Sequence, residues 1–386
     1  MRILPLIVVA QFLCTTLWFV GNAVMPEVVA EFQLGELFFA HQTSAVQFGF
    51  IAGTLTFALL TIADRFSPSK VFFISGIGGA LINLGVLSEA NGAATLLVIR
   101  FATGFFLAGV YPVGMKIAAD HFDKGLGKSL GFLVGALVLG TAFPHLLRGY
   151  LSGVPWQTIF VASSVLAVIG STMIYLLVPD GPFRRAAGQM NMMASIKGFS
   201  NINFRSAAMG YFGHMWELYT FWAFVPLMLM TFAAAYPEEA WNVPVWSFII
   251  IGCGGLACIG AGYLGVKLGP RKVAGVALSV SCACCLLSPL MFLMPPALFF
   301  SFLILWGASV VADSPMFSTL VAQHAPPEVR GSALTMVNCI GFFITIVSLQ
   351  AAGILSHFTS FQYLFVFLAF GPILGLIALA RGKEPS

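Results

Sequence analysis

Residues 63–71 read ADRFSPSKV, and residues 265–273, which follow 202 positions later (265 − 63), read GVKLGPRKV. Two such related segments indicate an internal duplication of the whole chain. Two similar halves in parallel orientation are typical of alternating-access transporters. A shift of 203 residues (307 − 104) aligns three further pairs: Gly104 with Gly307, Pro112 with Pro315, and His121 with His324.

The composition places this duplicated chain in a membrane. Hydrophobic residues make up 59% of it, charged residues 8%, and the mean hydropathy is +0.96, which excludes a protein whose whole surface faces water. A helix of roughly 20 apolar residues crosses a bilayer, so we predict an all-α membrane protein with about twelve spans in two six-helix halves. The predicted spans are 4–29, 42–62, 69–89, 93–119, 126–151, 155–178, 204–233, 243–266, 271–293, 296–323, 329–355 and 359–381.

Basic residues predict the orientation of these spans. Lys and Arg fall in connections on one side, whereas the opposite connections carry Glu31, Glu36, Glu89, Glu238 and Glu239. By the positive-inside rule both termini are cytoplasmic. The net charge of +4 therefore reflects topology, and we expect no nucleic-acid partner.

The longest polar connection divides the halves. We predict an N-terminal half over 1–178, a cytoplasmic linker over 179–203 and a C-terminal half over 204–386. The sequence has no phosphate-binding loop of the Gly-x-x-x-x-Gly-Lys-Ser/Thr type, so ATP is not the energy source within this chain. We expect no cofactor and no metal, because the cysteines fall within spans without zinc-site spacing. These cysteines are Cys14, Cys253, Cys258, Cys282, Cys284, Cys285 and Cys339.

The loop after the second span resembles the signature of the major facilitator superfamily, Gly-x-x-x-Asp-Arg-x-Gly-x-Arg-Arg. Asp64 and Arg65 match it, whereas Leu60 and Ser67 replace its glycines. The later copy fits the same signature except that Val266 replaces the acid. The resemblance covers essentially the whole chain and implies the fold and alternating access of that family.

The resemblance also implies a gate on the cytoplasmic side. In the family the acid of this loop caps the start of the eleventh helix and pairs with basic neighbours, and helix N-termini attract carboxylates. On this chain Asp64 corresponds to the capping acid, Arg65 to its partner and Asp120 to a third member. An ordinary solvated turn is the alternative.

A cationic residue lies within the fourth predicted span. Arg100 and Gly104 resemble the Arg-x-x-x-Gly pattern of the family, and helical spacing places Tyr111 on the same stripe. A charge inside a bilayer normally faces a protein interior or a watery cavity. Arg100 therefore predicts anion binding or proton-linked gating, with a structural ion pair or snorkelling to the outer surface as alternatives.

The seventh and tenth spans carry acidic residues. Glu217 lies well inside the predicted hydrocarbon region, and His214, three residues earlier, shares its helix face and can hydrogen-bond to it. Asp313 shares a stripe with Trp306 in the tenth span. Since removal from water favours the neutral form of a carboxyl group, we predict proton coupling through Glu217, Asp313 and His214. The sequence does not choose between the two acids, and a static hydrogen-bonded pair or a metal site are the alternatives.

Polar residues also line one face of the first span, at spacings of four, three and four. Neutral hydrogen-bonding groups with an indole suit a cavity for a polar, partly apolar solute, and polar helix packing is the alternative. With the residues above and others on the seventh, tenth and eleventh spans, the predicted substrate-binding set is Gln11, Thr15, Trp18, Asn22, Arg100, Tyr111, Tyr211, Trp306 and Asn338.

These features predict a proton-coupled secondary transporter in a bacterial inner membrane. We expect a monomer that is not an enzyme and that carries a small organic solute, anionic or zwitterionic, by symport. Export of a cationic or amphiphilic compound by antiport is the alternative, and intramembrane metal handling or sensing are remote ones.

Overall fold

The computed structural model describes residues 3–35, 37–122, 126–151, 153–184, 196, 198–326 and 330–382, without the side chains of 126–128. These residues form helices and connecting turns, and no strand occurs among them. The helices are α1 (Ile3–Thr15), α2 (Val20–Ala23), α3 (Met25–Glu31), α4 (Phe38–Leu59), α5 (Ile62–Arg65), α6 (Pro68–Leu84), α7 (Ala93–Leu107), α8 (Tyr111–His121), α9 (Leu126–Tyr150), α10 (Gln157–Leu177), α11 (Ile202–Ala233), α12 (Val243–Leu268), α13 (Pro270–Met291), α14 (Pro296–Ala312), α15 (Ser314–His324), α16 (Arg330–Leu355), α17 (Phe361–Leu364) and α18 (Phe370–Arg381).

Ten helical segments within the described residues are long and apolar enough to cross a membrane. The two predicted spans outside these ten are the first and the second. The first is broken after the 13 residues of α1, and α4, although 22 residues long, includes Gln42 and Gln47, which lower its hydropathy. The chain is a multi-pass membrane protein, and the count of twelve stays a prediction.

Matched prolines break two of the spans at equivalent places. The segment Ala93–His121 consists of α7 and α8 with a turn between them, and Pro112 is the second residue of α8. Pro315 is likewise the second residue of α15, a helix that begins directly after Asp313. A proline has no N–H and its ring crowds the preceding turn, so the repeat that aligns Pro112 with Pro315 also places a helix break in each half.

The chain divides into two compact units. The first comprises Met1–Ser129, Ala136–Ala187 and Ala223–Gly252, and the second comprises Leu130–Gly135, Gly188–Trp222 and Cys253–Ser386. Of the predicted linker 179–203, residues 185–195 and 197 lie outside the described part of the chain. The boundaries of the predicted halves therefore stay a prediction.

Glycines set the closest helix packing in both units. In the first unit a Cβ on Gly104 of α7 would lie 1.9 Å from the carbonyl oxygen of Val46 in α4. In the second a Cβ on Gly213 of α11 would lie 2.3 Å from the carbonyl oxygen of Gly371 in α18. Backbones approach this closely only where a side chain is absent, which fixes α7 on α4 and α11 on α18.

Candidate functional site

Glu217 is the centre of a buried polar cluster in the second unit. The indole Nε1 of Trp306 in α14 donates to its Oε1 at 2.6 Å. Two side chains of α13 also donate to it: the Cys285 thiol to Oε1 at 3.2 Å and the Ser281 hydroxyl to Oε2 at 3.0 Å. Because Glu217 is only 1% exposed, these donors replace the water that a carboxylate would otherwise bind.

His214 pairs with Asp313 in the same unit. Nδ1 of His214 lies 2.8 Å from Oδ1 of Asp313, and both side chains are fully buried. The predicted hydrogen bond between His214 and Glu217 is therefore wrong, because the imidazole contacts the carboxylate at the break between α14 and α15 instead. Helical spacing showed which residues share a face of α11, but the packing of α14 and α15 decided their partners.

The pair keeps further hydrogen-bonding capacity. Nε2 of His214 and Oδ2 of Asp313 are buried and find no hydrogen-bond partner within the described residues. Both oxygens of Glu217, in contrast, are occupied by donors. The His214–Asp313 pair can therefore bind a proton or a bridging water at atoms that make no other contact, whereas both oxygens of Glu217 already accept at least one donor.

The other predicted residues of the second unit contact each other or this cluster. The Tyr211 hydroxyl donates to Oδ1 of Asn338 in α16 at 2.5 Å. The Trp306 ring lies 4.5 Å from that of Phe221, centroid to centroid, while its Nε1 holds Glu217. Thr345 and Ser348 of α16 add hydrogen bonds to backbone carbonyls of α11. Helix α11 is thus fixed to α13, α14 and α16 by polar contacts.

Arg100 is a buried cross-link of the first unit. Its Nη2 donates to the carbonyl oxygens of Leu17 and Trp18 at 2.9 and 2.8 Å, and Nη1 donates to Oδ1 of Asn83 at 2.8 Å. The alternative of snorkelling is excluded because Arg100 is 1% exposed, and its partners are neutral groups rather than the acid that the alternative of an ion pair requires. A turn at 108–110 lies between Arg100 and Tyr111, so their shared stripe stays a prediction.

The predicted polar face of the first span is divided by another break. Thr15 ends α1 and its hydroxyl donates to the Gln11 carbonyl at 2.8 Å. Beyond the turn, the Asn22 amide donates to Oγ1 of Thr43 in α4 at 2.9 Å. The Trp18 ring lies 4.8 Å from that of Phe50, also in α4. All four predicted residues, Gln11, Thr15, Trp18 and Asn22, are buried in the first unit, although they do not share one continuous helix.

The predicted cytoplasmic gate is a charged cluster with a different partner arrangement. Lys116 Nζ lies 2.8 Å from Asp64 and 3.4 Å from Asp120, so Asp64 and Asp120 do belong together. Arg65 was predicted as the partner of Asp64, but its Nε donates to Thr61 instead. The cluster also includes Arg184, whose Nη2 donates to the Asp64 carbonyl at 3.0 Å.

Several contributors escaped the sequence analysis. Ser281 and Cys285 of α13 are four residues apart, and this helical spacing was the available signal that they share a face. Lys116 lies four residues before Asp120, a spacing that favours their ion pair, whereas its shorter contact with Asp64 depends on tertiary packing. No group of three or more His, Cys, Asp or Glu side chains in the described ranges is positioned to hold a metal ion.

The sequence matches the family model of the Major Facilitator Superfamily over residues 7–260. This chain belongs to the major facilitator superfamily. A search of the curated proteins found no match.

Solved structures share the fold of this superfamily member. A mutant of the nucleoside transporter NupG is 14% identical with a TM-score of 0.73, covering 99% of this chain and 100% of that one. The human organic anion transporter MFSD10 (TETRAN) is 13% identical with a TM-score of 0.76, covering 98% and 99%. At such identities the likeness establishes the fold alone. Membership of the superfamily makes this chain a membrane-embedded secondary transporter of a small molecule rather than an enzyme.

Proposed function

We propose that this superfamily member couples solute movement to protons through the His214–Asp313 pair. The observation that carries the proposal is the 2.8 Å contact between two fully buried ionisable side chains. Paired charges in a low-dielectric interior are held together far more strongly than in water, and neutralising either one removes that attraction. Protonation of the pair is therefore able to change the position of α15 relative to α11.

Glu217 has a supporting role in this proposal. Donors from Ser281, Cys285 and Trp306 occupy its carboxyl group, and moving that group would leave these donors unpaired. Glu217 then acts as a fixed acceptor that ties α11 to α13 and α14. The sequence left the choice between the two acids open, and the contacts favour Asp313.

We propose that the chain takes up its solute by proton symport. We also propose that it is a monomer in a bacterial inner membrane, with both termini in the cytoplasm. The positions of Lys and Arg in the sequence support this orientation. Arg100 gives less support to an anionic substrate than the sequence suggested, because carbonyls and Asn83 occupy both Nη groups. The organic anions and nucleosides in the names of the structural neighbours define the first compounds to test.

The test uses the purified chain in liposomes with a pH-sensitive dye inside. Uridine, benzoate and tetraphenylphosphonium serve as neutral, anionic and cationic solutes, and proton movement beyond that in protein-free liposomes is measured when each is added outside. We expect one solute to drive proton movement in the native chain and in Glu217→Gln. In Asp313→Asn that proton movement should be lost while exchange of the labelled solute across the membrane continues.

Glu238→Gln is the matched control, because Glu238 is an exposed carboxylate outside the predicted spans. It should behave like the native chain. Undiminished proton movement in Asp313→Asn would contradict the proposal, as would loss of coupling in Glu217→Gln alone. Proton release in exchange for tetraphenylphosphonium would instead establish the antiport alternative.

A further inference from the structure

One face of α4 carries Thr43, Gln47, Phe50 and Thr54, at helical spacings of four, three and four. Two of these residues contact the segment that follows α1. Thr43 accepts the hydrogen bond of Asn22, and Phe50 packs on Trp18. Gln47 lies on the same face between these two contacts, in the first unit.

Gln47 has no exposed surface, yet neither its Nε2 nor its Oε1 finds a hydrogen-bond partner within the described residues. The neighbouring amide of Gln42, by comparison, donates to Asn22 at 3.5 Å. A buried amide with both atoms unpaired is unfavourable, so a molecule other than the chain itself is needed to satisfy Gln47. That molecule has to present both a donor and an acceptor.

The face of α4 that carries Gln47 has no ionisable side chain among its four residues. Asn22 and Thr43 are neutral, and the Trp18 and Phe50 rings provide an apolar surface beside them. Arg100, a buried cation of the same unit, directs Nη2 to the carbonyls of Leu17 and Trp18 and Nη1 to Asn83. This environment favours a neutral planar group over an anion.

We infer that Gln47 binds an uncharged lactam, imide or primary amide group of the transported solute, next to the Trp18–Phe50 pair. Such groups present a donor and an acceptor on the same edge, which the primary amide of Gln47 matches with two hydrogen bonds. The inference rests on the proposed function, in that it assumes a transported organic solute, and it specifies the substrate class.

The experiment measures equilibrium binding to the purified full-length chain in detergent, without a proton gradient. Labelled uridine, which carries an imide, and nicotinamide, which carries a primary amide, are compared with benzoate. We expect the native chain to bind at least one of the first two. Gln47→Leu should weaken that binding about tenfold or more, and Gln47→Met, which keeps the side-chain length, should do the same if the leucine variant does not fold.

Thr56→Val is the matched control, because it removes a polar group from the opposite face of the same helix, where the hydroxyl donates to the Ala52 carbonyl; it should leave affinity unchanged. Equal affinity in the native chain and both Gln47 variants overturns the inference. So does binding of benzoate alone, or of none of the three probes. Binding is measured without a proton gradient, so it does not depend on proton coupling. Failure of the proton-coupling proposal in liposomes can therefore be told apart from failure of this inference.

Discussion

At the scale of single residues, Arg100 and Glu217 both face the interior of the protein. Arg100 satisfies carbonyls at the break after α1, and Glu217 receives donors from α13 and α14. Each charge is surrounded by neutral polar groups of its own unit. A buried charge of this kind holds helices in place because removing it leaves its partners unpaired.

The first residue-scale prediction concerns Glu217. An amide at this position keeps an oxygen for Trp306 and Cys285, and its NH₂ can donate to Ser281 after the hydroxyl rotates. We therefore expect Glu217→Gln to unfold near the native temperature in detergent. Glu217→Ala leaves the donors unpaired, at about 1–3 kcal/mol each, and should lower the unfolding midpoint markedly. Equal midpoints for the two variants would show that the cluster does not stabilise the fold.

The second residue-scale prediction concerns Arg100. The planar guanidinium reaches the carbonyls of Leu17 and Trp18 and also Asn83, whereas an ammonium group has a single centre. Arg100→Lys should cost about 1–3 kcal/mol of stability, measured by thermal unfolding. Arg205→Lys is the control, because Arg205 is exposed and its replacement should be neutral. If Arg100→Lys is equally neutral but abolishes binding of benzoate, the anion site predicted from the sequence is restored.

At the scale of helices, much of the architecture could be predicted, because hydropathy alone determines where long apolar segments lie. The predicted span 271–293 and the observed helix Pro270–Met291 differ by a residue or two at each end. The breaks at Pro112 and Pro315 were not predicted, although proline chemistry offered the signal. The partners of His214 and Asp64 could not be predicted, since they depend on which helices lie next to each other.

The helix-scale prediction concerns glycine packing. Gly104→Ala or Gly213→Ala would place a Cβ about 2 Å from a carbonyl oxygen of the facing helix, forcing the helices apart. We expect each to lower the unfolding midpoint and the yield of folded protein. Gly260→Ala is the matched control, because Gly260 lies within α12 and a Cβ there would meet nothing within 4 Å. That control should be neutral or stabilise by up to about 1 kcal/mol, so a loss as large as that of Gly104→Ala would contradict the packing argument.

At the scale of the whole molecule, the two halves share a helix break but differ in the residues found there. The break before Pro315 in the second half carries Asp313. The corresponding break in the first half, at 108–110, carries no charged residue. The first unit instead collects neutral polar groups, among them Asn22, Thr43 and Gln47. We therefore assign coupling to the C-terminal repeat and solute recognition to the N-terminal one, as a hypothesis that the two binding and transport experiments test separately.

The same scale includes the orientation of the chain in the membrane, which the basic residues predict. Lys70 and Glu238 are exposed residues predicted to lie on opposite sides. A membrane-impermeant maleimide added to intact cells should label Glu238→Cys, whereas Lys70→Cys should react only after the cells are opened. The native thiols provide a low background, since six of the seven are buried and Cys253 is partly buried, and the chain without an added cysteine measures it. Labelling of Lys70→Cys in intact cells would reverse the proposed topology and place both termini outside.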